Sequence, residues 1–175
     1  MKKQNIIIIG MAATGKTTIG KLLAETLHKE FIDLDKKIEQ NCGVDVETIF
    51  AIEGEDGFRI RETNELQKIL ASSDNYILSL GGGTVILSQN REMIRAHAHL
   101  IVQLYSSDLN VLAERIAQSP NKRPLLSQVD DIALKLQQLY TERAQDYDAM
   151  TDIKIDIATL KPMQAIHAIL EHVGT

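Results

Sequence analysis

A single cysteine, Cys42, is all that the 175 residues contain. No internal disulfide can form, and the chain fits a reducing compartment. Positive charge is also scarce. There are 19 Lys and Arg against 24 Asp and Glu, a formal net charge of -5. That balance argues against a general affinity for nucleic acid or for an anionic membrane, so an anionic ligand has to be held by local cations. No apolar run is long enough to span a bilayer. The opening "MKKQNIIIIG" resembles the start of a signal peptide, but its apolar run is too short and stops at Gly10 and Gly15-Lys16. We therefore expect a cytoplasmic protein. The five histidines show no metal-ligand spacing, and Cys42 has no histidine partner in sequence. There are no repeats, no low-complexity tract and no interdomain linker, so one domain over 1–175 is expected.

What is present is an ordinary globular balance, with 44% hydrophobic and 25% charged residues. Short apolar runs alternate with longer helical patterns. The pattern predicts strands over 5–9, 30–33, 76–80, 100–105 and 153–156. Four consecutive isoleucines read as a fully buried parallel strand. Helices are predicted over 16–28, 36–42, 46–53, 57–72, 90–96, 107–118, 130–150 and 162–173. In the fourth of these, Ile60, Leu66, Ile69 and Leu70 suggest one apolar face. Strand–helix alternation implies an α/β fold with a parallel sheet covered on both faces. One loop stands out, "QSPNKRPLLSQ" over 118–128, whose two prolines argue against helix.

The clearest motif is Gly10-Met-Ala-Ala-Thr-Gly15-Lys16-Thr17, a full match to G-x-x-x-x-G-K-[S/T] between a strand and a helix. Backbone N–H groups of such a loop, with the helix N-terminus, surround the β- and γ-phosphates. Lys16 would put a cation on the γ-phosphate. The Thr17 hydroxyl is a hard oxygen ligand for the Mg²⁺ that bridges phosphates. The motif says phosphate and leaves the acceptor open.

Four further constellations bear on the acceptor. "FIDLD" puts Asp33 and Asp35 two residues apart at the end of the second strand. If the segment is extended, both carboxylates face one cleft beyond the strand's C-terminal end. One could order Mg²⁺ through water while the other takes a proton from a substrate hydroxyl. The alternative is a helix N-cap with a first-turn acid. "FRIRE" holds Phe58, Arg59 and Glu62, with Arg59 and Glu62 at i, i+3 on a helix. An arginine fork suits a carboxylate, and Phe50 with Phe58 could form an apolar wall; the plainer reading is a helix ion pair over two core phenylalanines. Arg61 is taken as structural or solvent-facing. Gly81-Gly82-Gly83 follows the third strand, where missing Cβ atoms would let backbone approach a small ligand. Arg123 sits in the proline-bearing loop, suited to a lid that closes over phosphates, or is simply a solvated arginine. Arg143 lies late in the long predicted helix and, taken alone, reads as a surface residue.

In this order, the pieces resemble the shikimate kinase family. The resemblance covers the phosphate loop, D-x-D, "IF…GE…FRxxE" at 49–62, G-G-G, "RPLL" at 123–126, and an arginine with a tyrosine four later, Arg143 and Tyr147. It implies a three-layer P-loop kinase fold with a five-stranded parallel sheet, helices on both faces, a substrate-binding subdomain near 33–62 and a mobile lid near 118–128. It implies transfer of the γ-phosphate of ATP to the 3-hydroxyl of shikimate, a step toward chorismate and the aromatic amino acids, by a monomer that uses Mg²⁺. Carried over by motif, Lys16, Asp35 and Arg123 would be catalytic. ATP would be bound by Ala13, Thr14, Gly15, Lys16, Thr17, Thr18 and Arg123. Shikimate would lie against Asp35, Phe58, Arg59, Glu62, Gly81, Gly82 and Arg143, with Arg59 and Arg143 on its carboxylate. Thr17 would bind the metal, with Asp33 acting through water. Arg115 and the Lys161-Pro162 segment are candidate neighbours of the adenine.

The chain departs from the family pattern at two points. Ala12 and Ala13 stand where the family usually has Met and Gly, which matters at 13 only if the backbone needs a positive φ. "RAQDY" replaces R-x-P-L-Y, and a pairing of Asp146 with Arg143 would weaken the carboxylate clamp. Two other readings share the phosphate loop. One is a related hydroxy-acid kinase of the gluconate type, the other a nucleotide-binding regulatory module without turnover. A nucleoside monophosphate kinase is disfavoured by the small number of arginines.

Overall fold

The computed structural model describes residues 4–72, 75–119, 125–126 and 129–173. Five strands form one sheet: β1 (Ile6–Ile9), β2 (Glu30–Asp33), β3 (Tyr76–Ser79), β4 (Leu100–Tyr105) and β5 (Ile153–Asp156). Their order is β2-β3-β1-β4-β5 and every pairing is parallel. The four isoleucines of β1 are wholly buried at the sheet centre, as a strand covered on both faces requires. From β1 the chain moves first toward β2 and β3 and later, through β4 and β5, to the other side. The order therefore reverses beside β1, and ligand clefts form beyond the strand ends at such a point.

The helices are α1 (Lys16–Leu27), α2 (Leu34–Cys42), α3 (Val46–Ser72), α4 (Ser88–His97), α5 (Leu109–Ala117), α6 (Ile132–Met150) and α7 (Pro162–Val173), with a 3₁₀ turn at Thr84–Ile86. The 3₁₀ turn has no counterpart among the predicted elements. The predicted helices over 46–53 and 57–72 run together as α3, broken only at Gly54, whose φ of 69° and ψ of -174° no helix contains. A glycine adopts that conformation without a Cβ clash.

The apolar face expected on α3 is corrected by one residue. Leu66, Ile69 and Leu70 are buried, but Ile60 is 63% exposed. Beyond Gly54 the buried set is Phe58, Glu62, Glu65, Leu66, Ile69 and Leu70, which follows helical spacing. Two glutamates occupy inward positions, so the face that apolar residues alone would mark is rotated away from the true one.

Asp33 and Asp35 also differ from expectation. The strand ends at Asp33 and helix α2 begins at Leu34, so the two acids do not share an extended segment. Asp33 is the N-cap, its Oδ1 accepting from the Lys36 N–H at 3.3 Å, and Asp35 stands in the first helical turn. An Asp cap and a first-turn acid both favour a helix start here.

Candidate active site

The phosphate loop leaves β1 and enters α1 with two tight backbone turns. Gly10 has φ of 146°, and a Cβ there would overlap the Leu104 carbonyl oxygen. Gly15, the N-cap of α1, has φ of 88°. The loop is held by its own side chains. The buried Thr14 hydroxyl donates to Met11 O at 2.9 Å, and Lys16 Nζ donates to Gly10 O and Met11 O, each at 2.8 Å. The ammonium thus lies over the loop and donates to two of its carbonyls.

Ala13 has φ of 63°, so the departure at this position does fall where the backbone is left-handed. A non-glycine residue there carries strain. Ala13→Gly is expected to stabilise the chain by about 0.5–1 kcal/mol, the strain relief outweighing glycine's entropy, with a Tm rise of roughly 2–3 °C. Thermal unfolding checks it, and an unchanged or lower Tm would show that the loop bears no such strain.

On the acid side, the Thr17 hydroxyl donates to Asp33 Oδ2 at 2.9 Å. Asp33 thus both caps α2 and fixes the threonine hydroxyl, whose proton points away from the loop and whose lone pairs remain available. Asp35 lines the same cleft as the loop and faces Gly81, at which a Cβ would lie 3.1 Å from Asp35 Oδ1 and 2.8 Å from Glu62 Oε1. Glycine at 81 keeps the space between these two carboxylates open.

Arg59 and Glu62 do pair on α3, but as a buried structure and not as a surface bridge. Glu62 is fully buried, its Oε2 accepting from Arg59 Nη1 at 2.7 Å and its Oε1 from the Thr84 hydroxyl at 2.5 Å. Arg59 Nη2 donates to Glu55 at 3.0 Å, and the guanidinium lies 5.5 Å from the centre of the Phe58 ring. Burial opposes charge on Arg59, yet Glu62 and Glu55 outweigh it and raise its pKa above the ordinary value. Phe50 and Phe58 pack with centroids 4.7 Å apart and planes tilted by 36°, Phe58 in the core and Phe50 against it, as the plainer reading of the sequence had it. Gly83 leaves room for the Arg59 guanidinium, which a Cβ at that position would displace.

Arg143 on α6 is buried, with 7% exposure, and belongs to the site rather than the surface. Its Nη1 donates to Gly82 O at 3.2 Å, and its Nε is buried with no acceptor among the described residues. A buried guanidinium N–H without a partner is costly unless a ligand supplies an acceptor. One turn on, the Tyr147 hydroxyl donates to Gly82 O at 2.5 Å. Burial pushes the Tyr147 pKa up, although Arg143 pulls it down, so the phenol stays a donor. Asp146 does not pair with Arg143. It pairs with Arg91 on α4 at 2.8 Å.

One cleft of about 860 Å³ runs past the phosphate loop and the Asp35–Gly81–Gly82 corner, while Arg59, Glu62 and Arg143 stand behind that corner and outside its lining. Its lining runs from the loop at 12–19 to Asp33, Asp35, Gly81 and Gly82 on one side, and to Arg115, Ile157, Leu160 and Pro162 on the other. Arg115 Nη1 donates to Ala13 O at 3.2 Å, which ties that far wall to the loop. Arg123 and most of the loop 118–128 lie outside the described residues. The other named candidates, from Ala13 to Arg143, come together around or beside the cleft. Arg61, left without a role by the sequence, forms a bidentate pair with Glu53 and a 3.4 Å contact to Cys42 Sγ.

Three residues of the site carried no sequence signal. Thr84 orients Glu62. Asn90 donates to Thr84 O at 2.9 Å and accepts from the Thr63 hydroxyl at 3.0 Å, which fixes Thr84 in turn. Arg91 holds Asp146 from 55 positions away.

Comparisons with known proteins agree with this geometry. A model of the shikimate kinase family matches residues 12–174. The chain is 40% identical over 172 residues to a shikimate kinase from Marinomonas sp. (strain MWYL1), covering 98% of this chain and 92% of that one. It is 39% identical over 163 residues to a shikimate kinase from Francisella philomiragia, covering 92% and 90%. Among solved structures, a shikimate kinase from Acinetobacter baumannii in complex with shikimate matches with a TM-score of 0.90 at 34% identity, over 98% of this chain and 93% of the other.

Proposed function

The chain belongs to the shikimate kinase family, and from that premise we infer that it transfers the γ-phosphate of ATP to the 3-hydroxyl of shikimate, giving shikimate 3-phosphate and ADP. The single observation that carries the reading is the shared cleft. The phosphate loop and the Asp35–Gly81–Gly82 corner line one cavity, with Arg59 and Arg143 held beside that corner. A donor phosphate and a small hydroxy acid could thus meet in line.

The geometry supports the following roles. The backbone N–H groups of Ala13, Thr14, Gly15, Lys16, Thr17 and Thr18 cradle the phosphates at the N-terminus of α1. Lys16 moves its ammonium from the Gly10 and Met11 carbonyls onto the transferring phosphoryl group and offsets its charge. The nucleoside lies toward Arg115 and Pro162. At the other end Arg143, whose buried Nε awaits an acceptor, and Arg59 receive the shikimate carboxylate. Glu62 keeps Arg59 in place and Gly81 and Gly82 admit the ring, against the wall that Phe58 forms with Phe50. Asp35 takes the proton of the attacking hydroxyl. Arg123, in the proline-bearing loop, serves as the cation that closes over the phosphates.

The residues also fit Mg²⁺. The Thr17 hydroxyl gives its proton to Asp33, which leaves its oxygen lone pairs for a hard cation and sets Asp33 within reach of that cation's waters. Thr17 would hold the ion directly and Asp33 through water, and Mg²⁺ bound there would supply positive charge against the charge that develops on the transferring phosphoryl group.

The same reading takes 1–175 as one domain, with 33–62 as the substrate-binding part and 118–128 as a lid, working as a cytoplasmic monomer. Among the described residues no helix is long and apolar enough to cross a membrane. Asp146 engages Arg91, so the altered "RAQDY" helix leaves Arg143 available, which favours turnover over a binding-only module.

The test is ADP release from Mg-ATP with shikimate, gluconate, AMP or no acceptor. ADP formed with shikimate alone is the expected result. ADP formed with gluconate in its place would reassign the acceptor, and ATP binding without turnover would favour the regulatory module.

A further inference from the structure

Helix α6 meets the glycine-bearing loop through positions 143, 146 and 147, which share one helical face. Arg143 and Tyr147 both donate to Gly82 O. Asp146 reaches the other end of the same loop. Its Oδ1 lies 2.8 Å from Arg91 Nη1, and that nitrogen also donates to Val85 O at 2.6 Å and Ile86 O at 2.7 Å. Residues 82–86 are therefore fastened to α6 at both ends, directly at Gly82 and through Arg91 at 85 and 86.

We propose that the Arg91–Asp146 pair is a positioning device for substrate recognition: it holds α6 in register with the loop, so that Arg143 meets the acceptor carboxylate. The proposal rests on the functional reading above. Arg143 spends one nitrogen on Gly82 O and keeps a buried Nε with no acceptor among the described residues. Its direction is thus set by where α6 lies against residue 82, and a small slide of one against the other would misplace a guanidinium that must meet a planar carboxylate. The pair is only partly buried, 25% and 28% exposed at the two side chains, so it contributes little to global stability. Its effect lies in geometry. Among the described residues Asp146 pairs with Arg91 on the Val85–Ile86 side of the site, not with the phosphate loop, so the expected consequence is confined to one substrate.

Steady-state kinetics on the full chain separate the possibilities. Asp146→Asn is expected to raise KM for shikimate about fivefold, with KM for ATP unchanged and kcat within about twofold. Asp146→Glu, which keeps the charge, should recover most of the loss. Arg91→Gln added to Asp146→Asn should worsen KM by less than the product of the single effects, since the two act as a unit. An unchanged shikimate KM in Asp146→Asn overturns the proposal. So does an equal rise in KM for both substrates, or a fall in Tm of more than a few degrees, which would make the pair a plain structural brace. Wild-type protein that fails to phosphorylate shikimate would overturn the functional reading itself and this role with it.

Discussion

Asp35→Asn is expected to lower kcat by roughly a hundredfold to ten-thousandfold, the range that one positioned general base supplies. Asparagine keeps the size and can still hydrogen-bond the hydroxyl, but it cannot accept its proton. Substrate binding should change far less if, as proposed, Arg59 and Arg143 hold the carboxylate independently. The competing account of Asp35 is that an acid in the first turn merely favours the helix start. That account makes a different prediction. The cap of α2 is already supplied by Asp33, whose Oδ1 accepts from the Lys36 N–H. A first-turn acid is then worth only about 0.3–1 kcal/mol of stability. Asp35→Asn should accordingly fold with nearly the wild-type Tm and be almost inert. A variant that keeps more than about a tenth of wild-type kcat would reduce Asp35 to a helix-start residue.

The fold was largely legible because its strands are short apolar runs with strict boundaries. β2, β4 and β5 coincide with the predicted segments, and β1 and β3 differ by one residue each. The phosphate loop was legible because its residues act locally, through backbone turns at Gly10 and Gly15 and two side chains that follow at once. Ala13 shows where such reading reaches its limit. The sequence could state the condition, a positive φ, and only the backbone could supply the value of 63°.

Other parts were not legible because they depend on contacts between distant segments. Ile60 looked like a core residue from its type alone, yet Glu62 and Glu65 take the inward places that an apolar pattern assigns to others. A buried Glu62 needs Arg59 from its own helix and Thr84 from a loop 22 residues on, and no local pattern predicts the second partner. Asp146 made the opposite error possible. It sits three residues from Arg143 at a spacing that allows pairing, but Arg91 from another helix takes it. Sequence spacing lists the partners a residue can reach along one helix and says nothing of those that tertiary packing brings closer.

Glu62→Ala should damage both the folded state and the site. The wild-type carboxylate is fully buried and satisfies two groups at once, the Arg59 guanidinium and the Thr84 hydroxyl. Alanine leaves a mostly buried Arg59 with Glu55 as its remaining carboxylate partner and strands the Thr84 hydroxyl. Removing one member of a buried ion pair costs about 3–5 kcal/mol, because the other charge stays desolvated. Arg59 keeps Glu55 and a margin of solvent, its side chain being 13% exposed, so the lower end applies. A loss of about 3 kcal/mol corresponds to a Tm lowered by roughly 6–12 °C for a chain of this length. The same change should raise KM for shikimate by more than tenfold, since Arg59 loses the partner that aims it and one good charged hydrogen bond is worth that much. Glu62→Gln separates the two effects. It restores the volume and an acceptor for Thr84 but sets a neutral amide against the guanidinium, so it should recover part of the Tm and little of the KM. Full recovery of both by Gln would mean that the charge of Glu62 is dispensable and that Arg59 is aimed by packing against Phe58 alone.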